Sequence, residues 1–179
     1  MPLIRLCHHD ERPAVLSIIN MAAEAYRGVI PADRWHEPYM SAGELDREIA
    51  AGVTFWGYDE GHGTLAGIMG FQPVRNVDLI RHAYVLPGKQ RRGIGRKLLE
   101  HLRQASTRPL LVGTWAGHPL LRTTWLCSGL TGAQDHTPDD LLEYPGAASR
   151  DFGRARLFAR RSRVLKAREL PPKNSSRYR

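Results

Sequence analysis

One stretch, from Ile80 to Leu102, constrains this chain more than any other, because it changes periodicity around a glycine turn. Ile80, His82, Tyr84 and Leu86 alternate with Arg81, Ala83 and Val85, which predicts a strand with β-branched and aromatic residues in it. Pro87 and Gly88 end the strand, since proline offers no N–H to a ladder. A basic turn follows, Gln90-Arg91-Arg92-Gly93-Ile94-Gly95. Ile94, Leu98, Leu99 and Leu102 then share one face of a helix.

Strand, glycine turn and helix start together make an anion site. The first turn of a helix carries unpaired N–H groups and a partial positive charge. Gly93 and Gly95 let an anion approach the backbone, and Arg91, Arg92, Arg96 and Lys97 add fixed charge. This reads as a pyrophosphate cradle. It is not a P-loop, because no G-K-[ST] follows, and the third glycine of G-x-G-x-x-G is missing.

Val85, Pro87, Gln90, Gly93 and Gly95 fill every fixed position of V-x-P-x-x-Q-x-x-G-x-G. The stretch therefore resembles the acetyl-CoA motif of the GNAT superfamily of N-acetyltransferases. The resemblance implies an α/β fold with a mixed, mostly antiparallel sheet flanked by helices. It implies that the strands on either side of the motif helix splay apart. Pantetheine would pair with the first of them around Tyr84 and Val85, and the N–H near Val85 would serve the developing oxyanion. Gln90, Arg91, Arg92, Gly93, Ile94, Gly95, Arg96 and Lys97 complete the implied acetyl-CoA set. The acceptor would be the amine of a small molecule or a peptide, entering from the side that Trp35 and Tyr39 would wall; plain core packing is the other reading of those two rings.

The rest of the chain gives the order β-α-α-β-β-β-α-β. Leu3–Cys7 is a strand. Asp10 opens a helix with Val15, Ile18, Ile19, Ala22 and Ala23 on its apolar face, and Gly28 ends it. Ser41-Ala42-Gly43-Glu44 is a capping box that opens a helix running to Gly52. Strands are expected at Val53–Tyr58, at Leu65–Val74 and into the motif, and after the motif helix at Pro109–Thr114. The resemblance covers Leu3 to about Ala116.

The net charge of +8 invites a nucleic-acid reading, but its distribution argues against one. Residues 150–179 hold nine Arg and two Lys against Asp151 and Glu169, a charge of +9, which leaves −1 for the other 149 residues. No apolar run is long enough to span a bilayer. Two cysteines without paired spacing suggest a reducing, cytoplasmic setting. Cys7-His8-His9-Asp10 is consecutive and suits no common metal spacing, so no metal is expected.

After Ala116 the GNAT pattern breaks. A fourth helix bearing a tyrosine acid for the thiolate should follow; Gly117–Leu130 has no tyrosine and carries Pro119. This divides the chain into a core (1–116), an atypical replacement (117–149) and a basic tail (150–179) expected to be disordered. Read one base forward, the codons of Gly117–Leu126 permit Ala-Ile-Arg-Phe-Tyr-Glu-x-His-Gly-Phe, and those of Leu141–Arg156 permit an apolar strand. A frameshift near Ala116 is the expectation. A sheet without its closing strands would bare the strand at Leu110–Val112, so weak activity and low stability are expected too.

GNAT chemistry needs a neutral amine, an oxyanion donor and an acid. Glu24, Glu37, His82 and His101 are candidates for the base by residue type, with His82 nearest the motif, while Tyr26 and Glu24 border the implied acceptor side. Two other functions compete: a CoA-binding domain without catalysis, and a nucleic-acid or acidic-partner binder using the Arg-rich tail.

Overall fold

The computed structural model describes residues 1–30, 32, 35–75, 77–115, 133–134 and 155–159. Strand β1 is Leu3–Leu6, helix α1 is Arg12–Ala23, helix α2 is Ala42–Ala50, and strands β2, β3 and β4 are Thr54–Asp59, Leu65–Val74 and Val77–Val85. Helix α3 is Ile94–Ala105, strand β5 is Leu110–Trp115, and β6 and β7 are Ala133–Gln134 and Ala155–Ala159. Among the described residues these strands form one sheet, in the order β1-β2-β3-β4-β5-β7-β6. Neighbours are antiparallel except β4 and β5, which the α3 crossover leaves parallel.

The helices form where their caps and apolar stripes dictate. The Ser41 hydroxyl accepts from the Glu44 N–H and the Glu44 carboxylate accepts from the Ser41 N–H at 2.8 Å, so the expected capping box is realised. Helix α1 starts two residues after Asp10, because a 3-10 turn at His9–Glu11 comes first, and Glu11 is its N-cap. Val15, Ile18 and Ile19 of α1 and Leu45 of α2 pack on one face of the sheet with Val53, Phe55, Leu65 and Ile68. Ile94, Leu98, Leu99 and Leu102 of α3 cover the other face with Met69, Ile80, Leu110 and Val112.

Strand β4 departs from simple alternation. Ile68 lies opposite Tyr84 while Gly70 lies opposite Arg81, so His82 and Ala83 together face one residue of β3. His82 takes the left-handed backbone conformation, φ +50°. This bulge reverses the phase. Arg81 and His82 both turn to the α1/α2 face, where they meet Glu48 and Phe55, while Ile80, Ala83 and Val85 lie on the α3 face. Grouping Ile80 with His82, Tyr84 and Leu86 by period two is thus incorrect across the bulge. The β4–β5 register runs Asp78–Leu110, Leu79–Leu111 and Ile80–Val112, so β4 continues from Arg81 to Val85 beyond it. A gap therefore opens between the two strands on the carboxyl side of Ile80.

The expectation of a sheet ending at β5 is also not met. Strand β7 pairs antiparallel with β5 from Leu111–Ala159 to Trp115–Ala155, inside the segment read as a basic tail. An unpaired strand edge offers a full row of donors and acceptors, and backbone pairing asks little of the side chains that fill it. The rest of the atypical segment, its missing tyrosine helix and the remainder of the tail lie outside the described residues.

Two predictions follow from this packing. A Cβ at Gly70 would lie 2.8 Å from the Arg81 carbonyl oxygen, so Gly70→Ala should destabilise by about 1–3 kcal/mol, lowering the melting temperature by roughly 2–4 °C per kcal/mol. At the sheet edge, Arg5 donates to both Glu11 carboxylate oxygens at 2.7 Å and holds that carboxyl at about 2, below its ordinary 4.5. A lowered folded value gives stability that is present above 4.5 and lost as pH falls toward about 2. Melting temperature plotted against pH should drop through that window, and Glu11→Gln should flatten the drop.

Candidate functional site

The strand–turn–helix stretch folds as one unit. After β4 a 3-10 turn at Pro87–Lys89 leads into the glycine turn, and Gly93 caps α3 with φ +77°. A side chain there would meet no atom within 4 Å, so the position requires glycine for its backbone and not for space. The first helical bond runs from the Lys97 N–H to the Gly93 oxygen at 3.0 Å, which leaves the amides of Ile94, Gly95 and Arg96 without helical acceptors. No acidic residue lies in this first turn; Arg96 and Lys97 do, with Arg91 and Arg92 just ahead. Cations at the positive end of a helix are unfavourable unless an anion joins them. Pro87, Gly88, Gln90, Arg91 and Arg92 line an open recess of roughly 520 Å³ beside this turn.

The motif residues do not all face the recess. Arg91, Arg92 and Arg96 are exposed. Ile94 has only its backbone available, since its side chain is 4% exposed in the core. The Gln90 side chain donates to the Val85 carbonyl at 3.1 Å and ties the turn to the end of β4. The Lys97 ammonium lies 3.4 Å from the Tyr58 hydroxyl and 5.4 Å from the centre of its ring, so strand β2 already engages it. A Cβ at Gly95 would touch only Val85 Cγ2 at 3.8 Å, which leaves open room over the helix start.

On the opposite face, Tyr84 meets Tyr26 edge-on at 6.2 Å, and Tyr26 leads to Tyr39 and then Trp35 at 6.1 and 5.6 Å. These rings border β4 where it passes the end of β5. Burial pushes the Tyr26 phenol up. Arg27 sits over the Trp35 ring at 4.9 Å and pairs with Glu24 and Glu37 at 2.9 and 3.0 Å. Glu24 is exposed, and its bond to Arg27 holds its carboxyl low, which suits a loop tie better than a base. Glu37 is exposed in the same tie. His101 lies against Trp56 on the α3 side of the sheet, ring centres 4.9 Å apart and planes tilted by 52°, away from this cluster.

His82 stands apart from these. Its ring is 5.9 Å from Phe55, and its Nε2 lies 3.4 Å from Glu48 Oε2, with the side chain 8% exposed. Arg81, next in the bulge, forks onto Glu48: Nη1 is 2.8 Å from Oε2 and Nη2 donates to Oε1 at 3.0 Å. Arg81 also donates to Gln72, which in turn donates to the Ala51 carbonyl at 2.8 Å. Burial pulls the Glu48 carboxyl up, but the contacts with His82 and Arg81 outweigh it and hold it low. Sequence reasoning did not single out Glu48 or Arg81. A signal existed: Glu48 sits three residues after Leu45 and beside Ile49, a charge on the apolar stripe of its helix.

Residues 51–126 match the family described as the acetyltransferase (GNAT) domain. Over that stretch the chain is similar to GNAT acetyltransferases, and its fold is theirs. The match runs ten residues beyond Ala116, where the motif reading placed the break. Solved structures agree on the GNAT fold. The PaiA N-acetyltransferase of Thermoplasma acidophilum, in complex with coenzyme A, superposes with a TM-score of 0.65 at 14% identity, over 89% of this chain and 98% of that one. The ribosomal-protein-S18-alanine N-acetyltransferase of Escherichia coli gives 0.60 at 18% identity, over 89% and 91%. A GNAT family acetyltransferase of Brucella melitensis in complex with acetyl-CoA gives 0.54 at 21%, over 74% and 84%. No curated protein matches the chain by sequence. No helix among the described residues is long and apolar enough to cross a membrane.

The cap of α3 can be tested alone. Gly93→Ala should cost about 1–2 kcal/mol through its left-handed backbone, with nothing to clash against. Gly93→Asn, which tolerates that conformation, should recover much of the loss in a thermal melt.

Proposed function

We propose that the chain is an N-acetyltransferase that moves an acetyl group from acetyl-CoA to a primary amine of a small molecule or a peptide. The observation that carries this reading is the helix start at Gly93: amides without helical acceptors, four cations at the wrong end of a dipole, and an open recess beside them. A diphosphate supplies the missing negative charge. The neighbours solved with coenzyme A and acetyl-CoA support the same ligand here.

Acetyl-CoA would supply the activated thioester. The N–H groups of Ile94, Gly95 and Arg96 would hold its diphosphate, with Arg91, Arg92 and Arg96 around it and Gln90 holding the turn in place. Lys97 would contribute only on leaving Tyr58. The backbone of Tyr84 and Val85, past the end of the β5 pairing, would hold the pantetheine arm, and the N–H near Val85 would stabilise the oxyanion. His82 is the base of choice, because Glu24 and Glu37 are tied to Arg27 and His101 lies on the other face. Tyr26, Trp35 and Tyr39 would wall the acceptor side. The tyrosine acid that the resemblance implies has no counterpart in Gly117–Leu130, so no residue is assigned as the acid for the thiolate. A cytoplasmic setting and a frameshift near Ala116 that replaced the last third of the chain are parts of this proposal; the frameshift is tested by reading the gene.

Calorimetry should show binding of coenzyme A that weakens with salt, and Arg91→Ala with Arg92→Ala should weaken it further and reduce the salt slope. Thiol release from acetyl-CoA should follow addition of a peptide with a free N-terminal alanine, a lysine peptide or a polyamine. Binding without release with any of them would favour a CoA-binding domain without catalysis. A flat titration against folded protein would overturn the reading.

A further inference from the structure

We propose that Glu48 is a positioning residue for His82. Its carboxylate, itself fixed by the buried Arg81 fork, holds the imidazole at Nε2, so that Nδ1 is the ring atom left to take a proton from the acceptor amine. The inference rests on the reading of His82 as the base and extends it to a residue on another element.

Three observations converge on this pair. First, both facing atoms are buried, 3.4 Å apart: His82 Nε2 has no aligned hydrogen bond, and Glu48 Oε2 is held by its ion pair with Arg81 Nη1 at 2.8 Å and has none either. Buried polar groups are almost always satisfied, so one that is not calls for an explanation, a catalytic role among them. Second, the histidine is held in a left-handed backbone conformation inside a bulge, with φ +50°. Such residues persist only when their surroundings over-determine them. Third, the carboxylate cannot swing away. Arg81, whose side chain is 2% exposed, forks onto both its oxygens and is braced by Gln72. Glu48 is thus a fixed negative point on α2, aimed at a ring on β4 from thirty-four residues earlier in the chain.

The consequence is a defined tautomer. With Nε2 against a carboxylate, the neutral ring keeps its hydrogen there and leaves Nδ1 bare. Because Nε2 is buried, the exposure that His82 retains lies elsewhere on the side chain. The proton balance follows. His82 Nδ1 takes one proton from the amine as the amine nitrogen bonds to the acetyl carbon. The carbon–sulfur bond breaks and its electron pair leaves on the thiolate. The ring then returns its proton through solvent to that sulfur, giving amide, free thiol and a neutral ring.

The test is a long-range proton–nitrogen correlation spectrum of histidine-labelled protein with coenzyme A bound, at mildly alkaline pH. The native ring should show hydrogen at Nε2 and none at Nδ1. Glu48→Asp keeps a charge for Arg81 but shortens the reach, and Glu48→Gln keeps the reach but not the charge. Both should admit the second tautomer. With whichever amine is acetylated, both should lower kcat about tenfold or more while leaving KM and coenzyme A affinity near native. A native ring carrying its hydrogen on Nδ1 would overturn the proposal. So would variants whose tautomer is unchanged, or whose kcat falls only as far as coenzyme A affinity and cooperative melting fall. If instead His82→Gln keeps full kcat while the native ring shows the Nε2 hydrogen, it is the base assignment that fails, and the positioning role falls with it.

Discussion

The structure depends on one irregularity, the bulge at His82 and Ala83 in β4. It marks where the parallel pairing with β5 has ended, and it turns two consecutive side chains to the same face. The gap beside Tyr84 and Val85 follows from the first effect, and the buried Arg81–Glu48–His82 cluster from the second. Gly70 lets the Arg81 carbonyl come close at this point, and Gln72 on the same strand braces the guanidinium. A bulge of this kind is held by its neighbours or not at all.

The two faces of the sheet then divide the work. Helix α3 covers one face and brings its positive end to the turn at Gly93, beyond the end of β4. Helices α1 and α2 cover the other face, and α2 delivers Glu48 to the bulge. The aromatic cluster of Tyr26, Trp35, Tyr39 and Tyr84 borders this side. Anion site and base candidate are therefore supplied by different layers, joined by the few residues of β4 from His82 to Val85.

What was legible in the sequence was local. The glycine turn, the capping box of Ser41 and Glu44, and the apolar stripe of α3 each state their geometry within a dozen residues, and each is realised. The phase of β4 was not legible, because His-Ala carries no glycine or proline to mark a bulge. Glu48 was hidden for a different reason: its partner is on another element, and only tertiary packing makes a charge on an apolar stripe an asset. Lys97 has the right type and position for a phosphate, yet Tyr58 across the helix–sheet interface engages it. Strand β7 was missed because β5 recruits it through backbone pairing, and the sequence of Ala155–Ala159 advertises little.

The central claim is that amides at the start of α3 and along the end of β4 that β5 does not pair together grip one ligand. Amide hydrogen exchange with and without coenzyme A tests it residue by residue. The account predicts slowed exchange at Ile94, Gly95 and Arg96 and within Ala83–Val85, with β1 and β2 unchanged. Binding that leaves those amides exchanging at their free rate, or that protects a different surface, would contradict it.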